Sequence, residues 1–135
     1  MDVNRDALVA AARAAMLRSH SPYSGFSVGA ALLGEDGRVY TGTNVENASF
    51  GLSICAERTA VFKAVSEGCT AFTACAVATG TAEPTPPCGA CRQVLVEFGS
   101  DLKIYLAGRE DAVEEHDLRD LLPRPFVTFD RGDER

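Results

Sequence analysis

The sequence has no apolar run that approaches the roughly 18 residues a membrane-spanning helix needs, so we expect neither a transmembrane protein nor a membrane partner. Basic residues are also scarce, since 13 Lys and Arg stand against 19 Asp and Glu and leave a net charge of −6. Because clustered cations bind the phosphates of nucleic acids, this balance argues against a nucleic-acid partner. We therefore expect a small-molecule ligand.

The amino-terminal residues lack the basic-then-apolar order of a secretory signal peptide. The five cysteines are an odd number, and they are unevenly spaced at positions 55, 69, 75, 88 and 91. In a reducing compartment, closely spaced cysteines more often bind metal or take part in redox chemistry than form structural disulfides. These features predict a cytoplasmic protein.

What the sequence does contain is typical of one folded domain, which we expect to span residues 1–135. With 46% hydrophobic and 24% charged residues, the chain can bury a core without disulfides. The residue patterns predict helices over 2–18, 54–67, 88–98 and 117–122, and strands over 26–33, 38–41, 72–79, 103–107 and, at an edge, 112–115. Strands that alternate with helices indicate an α/β fold with a mixed sheet between helical layers.

Three cysteines carry the strongest chemical signal. Cys88 and Cys91 begin one predicted helix, and Cys55 lies at the start of another. Helix N-termini favour the thiolate, and three thiolates would leave one tetrahedral position of a zinc ion open, which is typical of catalytic zinc. Cys69 or Cys75 could complete a closed four-cysteine site, but both lie on or beside apolar segments and fit better as small core residues.

Glu57 follows Cys55 by two residues, so in the first helical turn it can point into the same site without binding the metal. A carboxylate there can accept a proton from a metal-bound water and deliver it to the substrate. Three thiolates would give the zinc site a net charge of −1, and Arg58 could donate to a ligand sulfur and offset that charge. A redox pair or a structural zinc–thiolate site would also explain the Cys-x-x-Cys motif, but neither needs the upstream Cys-Ala-Glu.

Distinctive segments occur along nearly the whole chain, namely PYSGFSVGAA (22–31), NVENA (44–48), CAERTA (55–60), PCGACRQV (87–94), LLP (121–123) and Phe126. Together these segments resemble the small homotetrameric zinc-dependent cytidine deaminases. Zinc-dependent nucleobase deaminases combine a Glu two residues after one ligand with a Pro-Cys-x-x-Cys motif, and this combination is far more specific than Cys-x-x-Cys alone. The resemblance implies a three-layer α/β/α sandwich with a central mixed five-stranded sheet, one Zn²⁺ per chain and a nucleoside substrate.

The resemblance also implies roles for individual residues. Cys55, Cys88 and Cys91 would hold zinc, and Glu57 would move protons. The other implied roles are binding of the ribose hydroxyls by Asn44 and Glu46, stacking on the pyrimidine by Phe26, orientation of the leaving amine by the backbone at Ala56, and coverage of a neighbouring subunit's pyrimidine by Phe126. The implied activity is the deamination of cytidine and 2′-deoxycytidine in pyrimidine salvage, by a homotetramer with shared active sites.

The chain departs from the family pattern at two places. Position 50 is Phe where the family often has Tyr, so any contact through that hydroxyl is missing, and Phe126 is followed by Val-Thr-Phe in place of a smaller or proline-containing sequence. A blasticidin S deaminase shares the zinc motif and the size and is the nearest alternative enzyme. Asn44 and Glu46 fit a ribose and therefore favour the nucleoside.

Overall fold

The computed structural model describes residues 4–127 of the chain. Its helices are α1 (Arg5–Met16), α2 (Ala56–Ser66), α3 (Gly89–Val96) and α4 (Leu118–Leu121). Its strands are β1 (Val28–Gly34), β2 (Val39–Thr43), β3 (Phe72–Thr79), β4 (Lys103–Ala107) and β5 (Val113–Asp117), and a 3-10 turn covers Phe50–Leu52. Within residues 4–127, no helix has the length and apolar character that crossing a membrane requires.

The five strands form one mixed sheet in the order β2-β1-β3-β4-β5. The strand β1 pairs antiparallel with both β2 and β3, β3 pairs parallel with β4, and β5 adds antiparallel to β4. The parallel pair is connected through α3, so the carboxyl ends of β3 and β4 lie at the same edge of the sheet. In α/β sheets this edge is where ligands usually bind.

Each face of the sheet buries its own core. One core joins Leu8, Val9 and Ala12 of α1 to the small side chains Ala31, Ala74, Ala76 and Ala78 of β1 and β3. The other core joins α2, α3 and α4 to larger strand side chains, among them Leu32, Val77, Ile104 and Leu106. Helices therefore cover both faces, which confirms the predicted three-layer α/β/α fold with a central mixed five-stranded sheet.

Two glycines let helices lie directly on the sheet. A Cβ at Gly29 would be 2.0 Å from the carbonyl oxygen of Ala12 in α1. A Cβ at Gly42 would be 2.4 Å from the backbone nitrogen of Ala60 and 2.5 Å from the carbonyl oxygen of Ala56, both in α2. These distances are well inside van der Waals contact, so Gly42 sets how closely the first turn of α2 approaches the sheet.

The predicted elements are confirmed in type, but some of their ends differ. The helix expected over 2–18 stops at Met16, because the next three amides bond to carbonyls three residues back instead of four. The strand expected from residue 26 begins at Val28, because the carbonyl of Phe26 is bonded by the Asn44 side chain and not by a neighbouring strand. Residues 2 and 3 of the expected helix and residues 128 and 129 of the tail lie outside the described residues.

Candidate metal centre and substrate cavity

The starts of two helices bring three cysteine sulfurs together. Cys55 is the N-cap of α2, Cys88 is the N-cap of α3, and Cys91 lies in the first turn of α3. The Cys88 sulfur is 3.8 Å from that of Cys55 and 3.4 Å from that of Cys91, and all three lie within 4.8 Å of one another. In a tetrahedral site with Zn–S bonds of about 2.3 Å, the sulfurs are separated by about 3.8 Å. The donor set and its spacing therefore fit one zinc ion.

The other two cysteines do not belong to this cluster. Cys69 is 8% exposed and Cys75 is 0% exposed, and both pack in the core between the sheet and α2. Burial also raises the pKa of the Cys75 thiol, which makes it a poor source of thiolate. The cluster thus offers three ligands, so a tetrahedral ion would keep one position for water or substrate.

A guanidinium lies against the sulfur cluster. Arg58 Nη2 donates to the Cys55 sulfur at 3.4 Å. The hydrogen bond from the Cys91 thiol and, after it, the one from Arg58 lower the pKa of the Cys55 thiol to about 5. A thiolate at this position is therefore stabilised by the protein itself, and Arg58 occupies a position from which it can withdraw negative charge from a ligand sulfur.

Glu57 is buried beside the same sulfurs. It lies in the first turn of α2, is 4% exposed, and lines the cavity in front of the cluster. Burial raises the pKa of its carboxyl to about 7. A carboxyl that gains and loses its proton near neutral pH is suited to general acid–base catalysis.

A cavity of about 270 Å³ opens in front of the three cysteine sulfurs. Seven residues singled out from the sequence line it, namely Phe26, Asn44, Glu46, Cys55, Ala56, Glu57 and Cys88. Thr79, at the end of β3, and Thr85 and Pro86, from the loop that follows, also line the cavity. This volume is close to the lower end of the range for small-molecule sites, so the cavity suits a ligand of nucleobase or nucleoside size.

Asn44 combines a structural role with spare hydrogen-bonding capacity. Its Nδ2 donates to the carbonyl of Phe26 at 2.7 Å. Its Oδ1 accepts from the amide of Val28 at 3.0 Å and from the hydroxyl of Ser19 at 2.5 Å. These contacts use both lone pairs of Oδ1 but only one hydrogen of Nδ2, so the second amide hydrogen can still bind a ligand hydroxyl.

Glu46 is held in its ionised form by a turn. Its Oε1 accepts from the amides of Tyr23 at 2.9 Å and Ser24 at 3.1 Å, and its Oε2 accepts from the Ser24 hydroxyl. The hydroxyl and the amide of Ser24 together lower the pKa of the carboxyl. An ionised carboxylate has about four acceptor positions, so Glu46 can accept a further hydrogen bond from a ligand.

The two candidate aromatic contacts lie in different surroundings. Phe26 lines the cavity and is 38% exposed. Phe126 does not line the cavity of its own chain, and its side chain is 65% exposed. The Gln93 amide donates to the Phe126 carbonyl and accepts from the Phe126 N–H at 3.2 Å. Because Gln93 belongs to α3, the Phe126 backbone is anchored to the helix that carries Cys91.

Sequence reasoning missed part of the cavity wall and the anchor of the tail. Thr79, Thr85 and Pro86 line the cavity but carry no motif that marks them. Thr79 could have been found once β3 was known to have a parallel neighbour, because ligand sites lie at the carboxyl ends of such strands. The bonds between Gln93 and Phe126 join residues 33 positions apart, and no local pattern predicts them.

Comparison with known proteins agrees with this geometry. Residues 3–107 match the family model described as the cytidine and deoxycytidylate deaminase zinc-binding region. The cytidine deaminase of Halalkalibacterium halodurans is 48% identical over 132 residues, which cover 97% of this chain and 100% of that protein. The cytidine deaminase of Mycobacterium tuberculosis is 44% identical over 135 residues, with coverages of 99% and 98%. A crystal structure of cytidine deaminase from Burkholderia pseudomallei matches with a TM-score of 0.88 at 47% identity and covers 92% of this chain and 100% of that chain. With three zinc-competent sulfurs, a buried glutamate and this similarity over nearly its whole length, the chain belongs to the cytidine and deoxycytidylate deaminase family.

Proposed function

We propose that the chain is a zinc-dependent cytidine deaminase, which hydrolyses cytidine and 2′-deoxycytidine to uridine and 2′-deoxyuridine and releases ammonia. The observation that carries this proposal is that Glu57, 4% exposed, lines the same cavity as the sulfurs of Cys55 and Cys88. A structural or redox zinc–thiolate protein has no use for a ligand cavity or for a buried carboxyl beside the metal.

The three cysteines and Glu57 have different roles in the proposed reaction. Cys55, Cys88 and Cys91 would hold zinc, which when bound supplies a nucleophile at neutral pH by lowering the pKa of a water molecule to about 7. The Glu57 carboxylate would take a proton from the attacking water and give it to N3 of the pyrimidine as the oxygen adds to C4. It would then move the remaining proton of that oxygen to the exocyclic nitrogen, so that ammonia leaves as its bond to C4 breaks and the C4 carbonyl forms. A pKa of about 7 allows this carboxyl both to accept and to deliver protons. Arg58, bonded to the Cys55 sulfur, offsets the charge of the three thiolates.

The rest of the cavity binds and orients the nucleoside. Phe26 stacks on the pyrimidine, and the backbone at Ala56 orients the leaving amine. The spare amide hydrogen of Asn44 and the carboxylate of Glu46 bind the ribose hydroxyls. What supports these roles is that all four residues line the one cavity and that the two polar side chains keep unused hydrogen-bonding positions there.

We also propose a homotetramer in which Phe126 covers a neighbouring subunit's pyrimidine. The support is the exposed Phe126 ring on a backbone that Gln93 anchors to α3. Phe50 and Leu52, which are 70% and 65% exposed, add apolar surface suited to contact with another subunit. A single domain over residues 1–135 would act in cytoplasmic pyrimidine salvage, consistent with five free thiols.

A substrate panel tests the proposed activity. The zinc-loaded protein is given cytidine, 2′-deoxycytidine and blasticidin S, and loss of each amine is followed by ultraviolet absorbance and by ammonia release. We expect both nucleosides to be deaminated. Deamination of blasticidin S alone would identify the alternative enzyme, and a zinc-loaded protein that deaminates none of the three would favour the structural or redox protein.

A further inference from the structure

The Arg92 side chain joins two distant segments of the chain to α3. Its Nε donates to the carbonyl of Pro87 at 2.8 Å, and its Nη1 donates to the carbonyl of Leu121 at 2.7 Å. Leu121 is the last residue of α4 and lies 29 positions from Arg92 in the sequence. The side chain is half-buried, and within residues 4–127 it forms no ion pair. This guanidinium therefore holds backbone carbonyls and does not neutralise a carboxylate there.

Both segments are rich in proline and so are short of backbone donors. The two residues before Cys88 are prolines, which have no N–H group, so backbone hydrogen bonds can hold this stretch only through its carbonyls. Two prolines likewise follow Leu121 within four residues. A guanidinium has several N–H donors and no acceptor. Arg92 thus supplies the hydrogen-bonding groups that these two segments lack.

The contact with Pro87 lies next to a candidate zinc ligand. The Cys88 sulfur belongs to the three-cysteine cluster, and the Cys88 side chain caps no backbone group of α3. The Cys88 carbonyl accepts from the backbone N–H of Arg92 at 3.0 Å. Arg92 therefore holds the carbonyl before Cys88 with its side chain and the carbonyl of Cys88 itself with its backbone. Groups that orient a metal ligand in this way commonly change metal affinity by about 10- to 100-fold.

The contact with Leu121 lies at the start of the tail that carries Phe126. Gln93, which follows Arg92 in α3, holds the backbone N–H and carbonyl of Phe126 further along the tail. Two adjacent side chains of α3 therefore attach the tail at two points. Both Gln93 bonds go to Phe126, whereas Arg92 also holds the segment before Cys88.

We propose that Arg92 is a positioning residue that places both Cys88 and the tail of Phe126 relative to α3, and thereby couples zinc retention to substrate binding. This inference rests on the proposed deaminase function. In the proposed homotetramer, the coupling links the zinc site of one subunit to the ring that covers its neighbour's pyrimidine. Loss of the guanidinium should therefore change two separate quantities, the rate of zinc dissociation and the KM for cytidine.

The substitution Arg92→Met tests both effects, because methionine keeps an unbranched stem and removes every donor of the guanidinium. Release of zinc to a chelating indicator dye should accelerate by about tenfold. The KM of the zinc-loaded protein should rise by about threefold, a part of what stacking on one base contributes, with little change in kcat. Arg92→Lys donates from one nitrogen in place of two, so it should recover part of each effect. Arg119→Met, which breaks an exposed ion pair between α4 and Asp101, should change neither quantity.

A double-mutant cycle separates positioning from a general loss of stability. If Arg92 acts on substrate binding through the tail, Arg92→Met should raise the KM of the wild type but not that of Phe126→Ala, whereas zinc release should accelerate in both backgrounds. Gln93→Leu, which frees only the Phe126 backbone, should raise the KM without accelerating zinc release. Urea unfolding shows whether each variant is folded, and Arg92→Lys takes the place of Arg92→Met in the cycle if the latter does not fold. Zinc release at the wild-type rate from a folded variant, or equal increases of KM in both backgrounds, would overturn the inference.

Zinc release requires no turnover, so the two proposals can fail separately. A wild type that binds zinc but does not deaminate cytidine would overturn the proposed function and, with it, the coupling to substrate binding. An active wild type whose zinc release and KM are both insensitive to Arg92→Met would overturn this inference alone.

Discussion

Glu57→Gln keeps the size of a buried side chain and removes its ionisation, so it isolates the property on which proton transfer depends. The Glu57 carboxyl is 4% exposed, and burial raises its pKa from 4.5 to about 7. The unfolded chain therefore releases this proton above pH 4.5, whereas the native chain holds it until about pH 7. Because the native state binds this proton more tightly, the contribution of Glu57 to the stability of the metal-free wild type is lost as the pH rises through this window.

The structure gives the size of this effect. The difference between a pKa of 4.5 and one of about 7 corresponds to about 3 kcal/mol when ionisation is complete, and most of it accrues between pH 5 and pH 8. Glutamine has no such dependence. We therefore expect the free energy of unfolding of metal-free Glu57→Gln, minus that of the metal-free wild type, to increase by roughly 2 to 3 kcal/mol from pH 5 to pH 8.

Urea unfolding at equal protein concentrations measures this difference at the two pH values. In the zinc-loaded protein, the same substitution should leave about one zinc per chain and lower kcat by about 10²–10⁴-fold, the usual contribution of a general acid–base group. Glu67→Gln is the matched control, since Glu67 follows the other end of α2 and forms an exposed ion pair with Arg38. A stability difference that does not vary with pH, or near-normal turnover in Glu57→Gln, would refute the reasoning.

Three further substitutions test other parts of the site. Arg58→Ala should keep the fold and lower kcat by about tenfold or more, because a charge-assisted hydrogen bond to the Cys55 sulfur is lost, and Arg58→Gln should recover part of that loss. Equal kcat values in steady-state assays of both variants and the wild type would assign the charge compensation to another group. Glu46→Gln should raise the KM for cytidine by about tenfold with little change in kcat, and an unaltered KM would remove Glu46 from substrate binding. Phe126→Ala should raise the KM by at least about fivefold through the loss of stacking on the base, and light scattering of the wild type should give four times the chain mass. An active monomer would contradict the shared site.

Local geometry explains which parts of the site could be predicted from the sequence. Cys88 and Cys91 are separated by less than one helical turn, so any helix that starts at Cys88 places both sulfurs on one side. Glu57 and Arg58 follow Cys55 in the first turn of α2, so their spacing in the sequence already places them close to this cysteine. The joining of Cys55 to the other two cysteines depends on how α2 and α3 pack on the sheet, so no local pattern fixes it. It is predicted by the combination of Cys-Ala-Glu with Pro-Cys-x-x-Cys and by the resemblance to the deaminases.

The features that escaped prediction depend on contacts between distant residues. The Gln93 anchor of Phe126 spans 33 residues, and the Asn44 side chain bonds the backbone of Phe26 and Val28 across a turn of the chain. The latter contact explains why β1 starts later than its apolar pattern suggests. The hydrogen bonds that join the hydroxyls of Thr79, Thr81 and Thr85 likewise depend on a loop conformation that composition alone does not reveal. Three prolines between 81 and 87 exclude a helix but do not define the path of the loop.

Zinc content and deaminase activity measured on the same sample test the central claim most directly. The protein is stripped with a chelator and reconstituted with increments of zinc, and cytidine loss is followed by ultraviolet absorbance at each step. The rate should rise in proportion to bound zinc and reach a plateau at one ion per chain, while Cys88→Ala should bind no zinc and remain inactive. Full turnover by the metal-free protein, or one bound zinc per chain without any loss of cytidine, would contradict the account.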